Sequence, residues 1–187
     1  MLLKCYDIMQ RRYKKQDVAM AALVQWMACR LSVPSYRDYA TPTLTLDMYD
    51  DLCAAFDLEL LRQDRWDWLG ELALYLGLEG WVPYDIGRGE AVEYARSHLP
   101  RSLGASDIIF DPLAGTGRLF FALLDLGVNC IMAGTEPVHK PYRIPVLNKH
   151  IYDMPVYVLR ARHKLPFSSP AWLRCNIYLP VRRFPRS

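Results

Sequence analysis

The residues best placed to do chemistry are two acids and the glycines between them. Asp111 closes the apolar run Ile108 to Phe110, and Pro112-Leu-Ala-Gly115-Thr116-Gly117 follows at once. Glu136 stands 19 residues past Gly117, after a second largely apolar run, Val128 to Ala133. Glycine lets a backbone turn sharply and approach a ligand with no Cβ in the way. Leu119 to Leu124 reads as a helix opening just beyond the turn. A helix N-terminus offers free N–H groups and the positive end of a dipole. An ionised carboxylate is acceptor-only, with room for two hydroxyl protons at once. Strand, glycine turn, helix, strand and closing acid make a corner for a nucleotide or nucleoside.

The details narrow the ligand. A dinucleotide fingerprint places a third glycine three residues after the second, and a P-loop follows its last glycine with Lys-Ser/Thr. Here Phe120 fills the third glycine position, and Arg118-Leu119 is not the P-loop pair. That leaves a corner for a ligand without a pyrophosphate, and it places a nicotinamide-dependent dehydrogenase low. The offset to Glu136 matches the roughly 20 residues that separate such a turn from the acid binding ribose hydroxyls. Asp111 is available for a cationic or hydroxylated group. S-adenosylmethionine, with a ribose, an adenine and a charged amino-acid end, suits this pair of acids. The alternative is an ordinary βαβ turn that binds nothing.

The elements that must hold this corner follow from periodicity. Residues 1–80 read as mainly helical. Asp17 to Leu31 has the apolar spacing of a buried helix. Thr45 or Asp47 could cap a helix running to about Leu61. Asp64 or Asp67 starts another, with Trp68, Leu72 and Leu76 on one stripe and Gly77 or Gly80 at its end. Trp66, Trp68 and Trp81 read as core or interdomain packing. From Trp81 onward short apolar runs alternate with helices, the rhythm of parallel strands joined by crossovers. The runs are Ile108–Phe110, Cys130–Ala133, Val156–Leu159 and Asn176–Leu179. The expected fold is therefore α/β: a small Rossmann-like core at 81–187 with parallel strands, preceded by a helical region at 1–80.

At this point the residues carry a resemblance. Asp111-Pro-Leu-Ala-Gly-Thr-Gly-Arg118 resembles motif I of the S-adenosylmethionine-dependent N6-adenine DNA methyltransferases. Asp67-Trp-Leu-Gly70-Glu71 resembles the segment that opens the helix preceding the cofactor loop in phage- and plasmid-type members. Pro83-Tyr84-Asp85 stands where the family has its Phe-Tyr/Phe-Thr-Pro loop, and Asn148 lies where a helix after the second strand carries a recurring asparagine. The resemblance spans about residues 64–161. It implies a methyltransferase core, S-adenosylmethionine as cofactor, and Tyr84, Asp111, Pro112, Gly115, Thr116, Gly117 and Glu136 as cofactor-binding residues. It implies transfer of a methyl group to an adenine flipped out of DNA.

The chain also departs from that family. The loop at Tyr84 lacks Thr-Pro, and Arg160-Ala-Arg162 follows the third run where an Asp or Asn is usual. The catalytic Asn/Asp-Pro-Pro-Tyr/Phe motif is not present as written. Asn176-Ile-Tyr178-Leu-Pro180 is the nearest substitute, with an amide, an aromatic and a proline in a different order. Asn176, Tyr178 and Pro180 are thus the candidate catalytic residues, and a short terminal strand is the alternative reading. The visible runs supply about half the strands of a full core of that family.

Composition sets the remaining bounds. With 187 residues, 52% hydrophobic and 23% charged, the chain can bury a sizeable core. It has no apolar window of the about 18 residues or more that a membrane helix needs, and the start lacks a secretory h-region. Five scattered cysteines without a Cys-x-x-Cys argue for reduced thiols in the cytoplasm and against a zinc site. The charge is uneven: residues 154–187 carry seven Lys or Arg and no acid, whereas the rest carries 16 basic and 20 acidic groups. Arg160, Arg162, Lys164, Arg174, Arg182 and Arg183 could neutralise phosphates, and interleaved aromatics could stack on bases. DNA is the expected partner, and target recognition could come from a partner chain or a second copy. Two other functions stay open: a reduced relative that binds cofactor or nucleic acid without chemistry, and an RNA methyltransferase.

Overall fold

In the computed structural model, residues 1–33, 42–83, 85–104 and 106–160 are described, together with the backbone of Ile177 and Tyr178. Five helices come first: α1 (Leu2–Arg12), α2 (Gln16–Arg30), α3 (Leu46–Ala55), α4 (Leu58–Gln63) and α5 (Trp68–Tyr75). A 3-10 turn, Glu79–Trp81, leads to α6 (Arg88–His98). Then β1 (Ile108–Asp111), α7 (Arg118–Asp125), β2 (Ile131–Thr135), α8 (His139–Tyr152), β3 (Val156–Leu159) and β4 (Ile177–Tyr178) follow. The mixed fold with a helical N-terminus and parallel strands agrees with the sequence reading.

Local chemistry accounts for several boundaries. Thr45, not Asp47, caps α3, its hydroxyl accepting from Met48 N at 3.3 Å. The helix expected to run from there to Leu61 is two helices. Phe56 adopts extended backbone, and the Asp57 carboxylate accepts from Leu60 N at 3.0 Å, starting α4 afresh. An Asp cap satisfies donors that a continuing helix would have bonded to its own carbonyls. Asp67 caps α5, and Gly77 ends it in the left-handed region, with Leu78 N bonded back to Ala73 O. α8 carries Asn148, the asparagine expected in a helix after the second strand. It tolerates Pro141 in its first turn, where the missing N–H has no intrahelical partner.

All strand pairings are parallel and the sheet order is β3-β2-β1-β4. The chain steps from β1 to β2 to β3 in one direction and then returns past β1 to β4. The order therefore reverses between β1 and β4, and in open α/β sheets ligands bind outside the carboxyl ends of strands at such a switch point. Asp111 is the last residue of β1, so the sheet delivers it to that crevice.

Two apolar clusters hold the frame. One joins α1, α2 and α5 to the inner face of α8 through Met9, Met27, Leu69, Ile144 and Leu147. The other packs α6 and α7 on the sheet through Ile109, Phe120, Phe121, Met132 and Val156. Trp66 belongs to the second cluster and Trp81 to the first, both fully shielded, whereas Trp68 is 37% exposed. Trp81 also donates to Asp17 Oδ1 at 2.7 Å.

Candidate functional site

The glycine turn closes as its residue types require. Gly115 and Gly117 both take positive φ, 54° and 91°, a region that costs glycine nothing. Gly117 N donates to Ala114 O at 2.8 Å, and Gly117 then serves as the N-cap of α7. The turn is laced to β2: Ala114 N donates to Thr135 O at 2.9 Å, and the Thr135 hydroxyl to Pro112 O at 2.8 Å. Gly134 makes this approach possible. A Cβ there would lie 2.8 Å from Phe120 Cζ, 3.0 Å from Ala114 Cβ and 3.0 Å from Asp111 O.

Both acids sit at this corner and both are buried. Glu136 follows β2 and spans the gap to the turn. Its Oε2 accepts from Gly115 N at 2.9 Å and its Oε1 from Val138 N at 2.8 Å. Each oxygen can accept a second bond. Burial raises the Glu136 carboxyl above its usual range, against the pull of those two N–H groups. Asp111 is only half satisfied. Its Oδ1 accepts from Leu113 N at 3.0 Å, while the buried Oδ2 has no hydrogen-bond partner among the described residues. Burial, offset in part by the Leu113 N–H and reinforced by the Glu136 charge, pushes its carboxyl up to about 6. A buried carboxylate oxygen without a donor is costly, and such an orphan calls for an explanation. An arriving hydroxyl or ammonium group would provide the missing donor.

Below the turn lies a second cluster that the sequence reading did not assemble. Asp67, fully buried, accepts from Gly70 N at 3.0 Å, from Asn148 Nδ2 at 2.9 Å and from Arg118 Nε at 3.1 Å. Thr116 also hydrogen-bonds it. Burial lifts the Asp67 carboxyl while Arg118 and the three other donors oppose that rise. Gly70 is obligatory here, since a Cβ would stand 1.9 Å from Asp67 Oδ2. The Arg118 guanidinium, 3% exposed, pairs further with Glu71 Oε1 at 3.0 Å and Asp85 Oδ1 at 3.4 Å, and donates to Ile86 O at 2.9 Å. In the sequence Arg118 excludes a P-loop and ends the segment that resembles motif I, with no partner assigned to it. Its signal was an arginine heading a wholly apolar helix segment, which must find acids or stay at the surface.

The structure thus brings Asp111, Pro112, Gly115, Thr116, Gly117 and Glu136 together at the carboxyl ends of β1 and β2. Tyr84, Arg162, Lys164, Arg174, Asn176, Pro180, Arg182 and Arg183 lie outside the described residues. Tyr178 is described for its backbone alone, which lies in β4 and pairs with Phe110 of β1. Arg160 is exposed just past the end of β3. Among the described residues no group of three or more His, Cys, Asp or Glu side chains could hold a metal ion. No helix among them is long and apolar enough to cross a membrane.

Comparison with known proteins adds little constraint. No protein-family model matches the chain, and no curated protein matches it. A solved structure, the methyltransferase subunit of a type I restriction-modification system from Streptococcus thermophilus, superposes with a TM-score of 0.49 at 14% identity. The match covers 83% of this chain and 42% of that one, so the chain spans less than half the length of the structure it matches.

Proposed function

We propose that this chain forms the S-adenosylmethionine-binding part of a methyltransferase of the DNA adenine-N6 kind. The observation that carries the reading is the unpartnered Oδ2 of Asp111, buried at the end of β1 beside the switch point and the Gly115–Gly117 turn. The donor set fits the cofactor. Glu136, bonded once at each oxygen, retains an acceptor site on each for ribose hydroxyls. Asp111 accepts from a hydroxyl or an ammonium group, and glycine at 115 and 117 lets the turn close with positive φ. Tyr84 belongs to the same set by resemblance. When bound, the cofactor supplies an activated methyl group. The chain's own contribution is to fix that group's position and to exclude water around it. Asn176, Tyr178 and Pro180 are proposed to hold the target base. Arg160, Arg162, Lys164, Arg174, Arg182 and Arg183 are proposed to meet phosphates, with DNA as the partner. A partner chain or second copy completes target recognition. The division into a helical region at 1–80 and a Rossmann-like methyltransferase core at 81–187 belongs to the same proposal.

A second reading is favoured by one observation. Asn176-Ile-Tyr178-Leu-Pro180 stands where Asn-Pro-Pro-Tyr would be expected, so the chain could bind cofactor or nucleic acid without transferring a methyl group. Two measurements decide. Calorimetric titration with S-adenosylmethionine is expected to show saturable binding that Asp111→Asn weakens by more than about tenfold, the scale of a hydrogen bond to a charged group. Absence of binding to the native protein overturns the cofactor reading. Labelled methyl transfer, run in parallel on unmethylated DNA and on tRNA, then separates the enzyme from the binding relative and DNA from RNA.

A further inference from the structure

We infer that Arg118 is a positioning residue that fastens the loop before α6 against the glycine turn, so that loop and turn grip one ligand from two sides. This rests on the cofactor reading above. A cation is misplaced at the start of α7, because the first turn of a helix is the positive end of its dipole. Arg118 nevertheless sits there almost wholly buried. Its guanidinium is divided between two elements. On one side it meets Asp67 and Glu71 of α5 at 3.1 and 3.0 Å. On the other it meets Asp85 at 3.4 Å and the carbonyl of Ile86 at 2.9 Å. Stability of α7 alone would not require the second pair, since the α5 carboxylates already answer the charge. The bonds to Asp85 and Ile86 fix instead the separation between residues 85–86 and Gly117, the neighbour of Arg118. The planar fork of arginine can serve several acceptors at fixed angles, which a lysine ammonium cannot.

Two variants test this. Arg118→Lys keeps the charge and loses the fork. Asp85→Asn alters only the loop end of the strap, at a side chain 55% exposed, and keeps the fold testable if the first variant is unstable. Hydrogen exchange on the ligand-free proteins comes first. Both variants are expected to speed exchange of the amides of residues 85–88 while amides of β1 and β2 stay as in the native protein. Unchanged exchange at 85–88 in both overturns the strap. Calorimetry with S-adenosylmethionine follows. Affinity is expected to fall by more than about tenfold in Arg118→Lys, the scale of charged hydrogen bonds. In Asp85→Asn the fall is expected to be about threefold, within the range of a half-exposed ion pair, with the unfolding midpoint unchanged. Affinity equal to native in both, with exchange altered, overturns the role in ligand positioning. A native protein that binds no S-adenosylmethionine overturns the function proposed above and the ligand role with it, and the exchange result still decides the strap.

Discussion

Asp67 and Asp111 are both buried aspartates contacting the same glycine turn, and the protein treats them in opposite ways. Asp67 receives Arg118, Asn148, Thr116 and the Gly70 N–H, so its charge and its lone pairs are answered within the chain. Among the described residues Asp111 receives one N–H at one oxygen and nothing at the other, with the Glu136 charge nearby. A saturated buried acid braces structure. An unsaturated one at the carboxyl end of a strand, beside a switch point, is equipped to bind something. The difference separates the scaffold from the candidate site within a few residues of backbone.

The largest expected effect comes from breaking the saturated side. Asp67→Ala leaves Arg118 buried with fewer counter-charges and removes the cap of α5. Losing one partner of a buried pair costs about 3–5 kcal/mol, to be read as a lower urea midpoint.

The opposite sign is expected at Asp111. Its carboxyl titrates at about 6 in the folded protein, above the ordinary range near 3.9 in the unfolded chain. The folded state therefore binds more protons between those values, and the contribution of Asp111 to stability falls as pH rises through 4 to 6. Asp111→Asn removes that fall. Its stability relative to the native protein is expected to increase by about 2–3 kcal/mol between pH 4 and pH 7. Paired urea titrations at the two pH values measure it, and a constant difference would show that folding does not raise the Asp111 carboxyl.

A smaller effect sharpens the geometry on the Asp111 side. Gly134→Ala presses a methyl onto Phe120, Ala114 and the Asp111 carbonyl. Overpacking of this kind costs about 1–3 kcal/mol. Because the clash falls on the turn, calorimetry is expected to show weaker S-adenosylmethionine binding as well, whereas Asp67 keeps its partners.

How much of this was legible beforehand depends on the range of the interaction. The turn, its glycines, the acid at the end of β1 and the acid after β2 are written in residue types and offsets. So are the caps, although the single helix expected over 45–61 breaks at Phe56-Asp57. There one aspartate side chain outcompetes the continuing ladder. The strand order was not readable: apolar runs mark strands but carry no label for which neighbour each one pairs with. Nor was the Arg118 cluster, whose acids come from positions 67, 71 and 85. Proximity across such separations arises only once α5 and α7 have packed.

The sequence by itself determined where the backbone must take positive φ, where helices are capped, and which acids stand at the end of the first strand and just after the second. These are set by sterics and hydrogen bonds within a few residues of one another. Tertiary structure alone decided that Asp111 keeps a buried oxygen without a partner among the described residues, that Glu136 bridges to Gly115, and that Asp67 and Arg118 share one enclosed charge network. Burial and partnership depend on what the rest of the chain brings alongside. That same packing separates a carboxylate that holds the protein together from one left to hold a ligand.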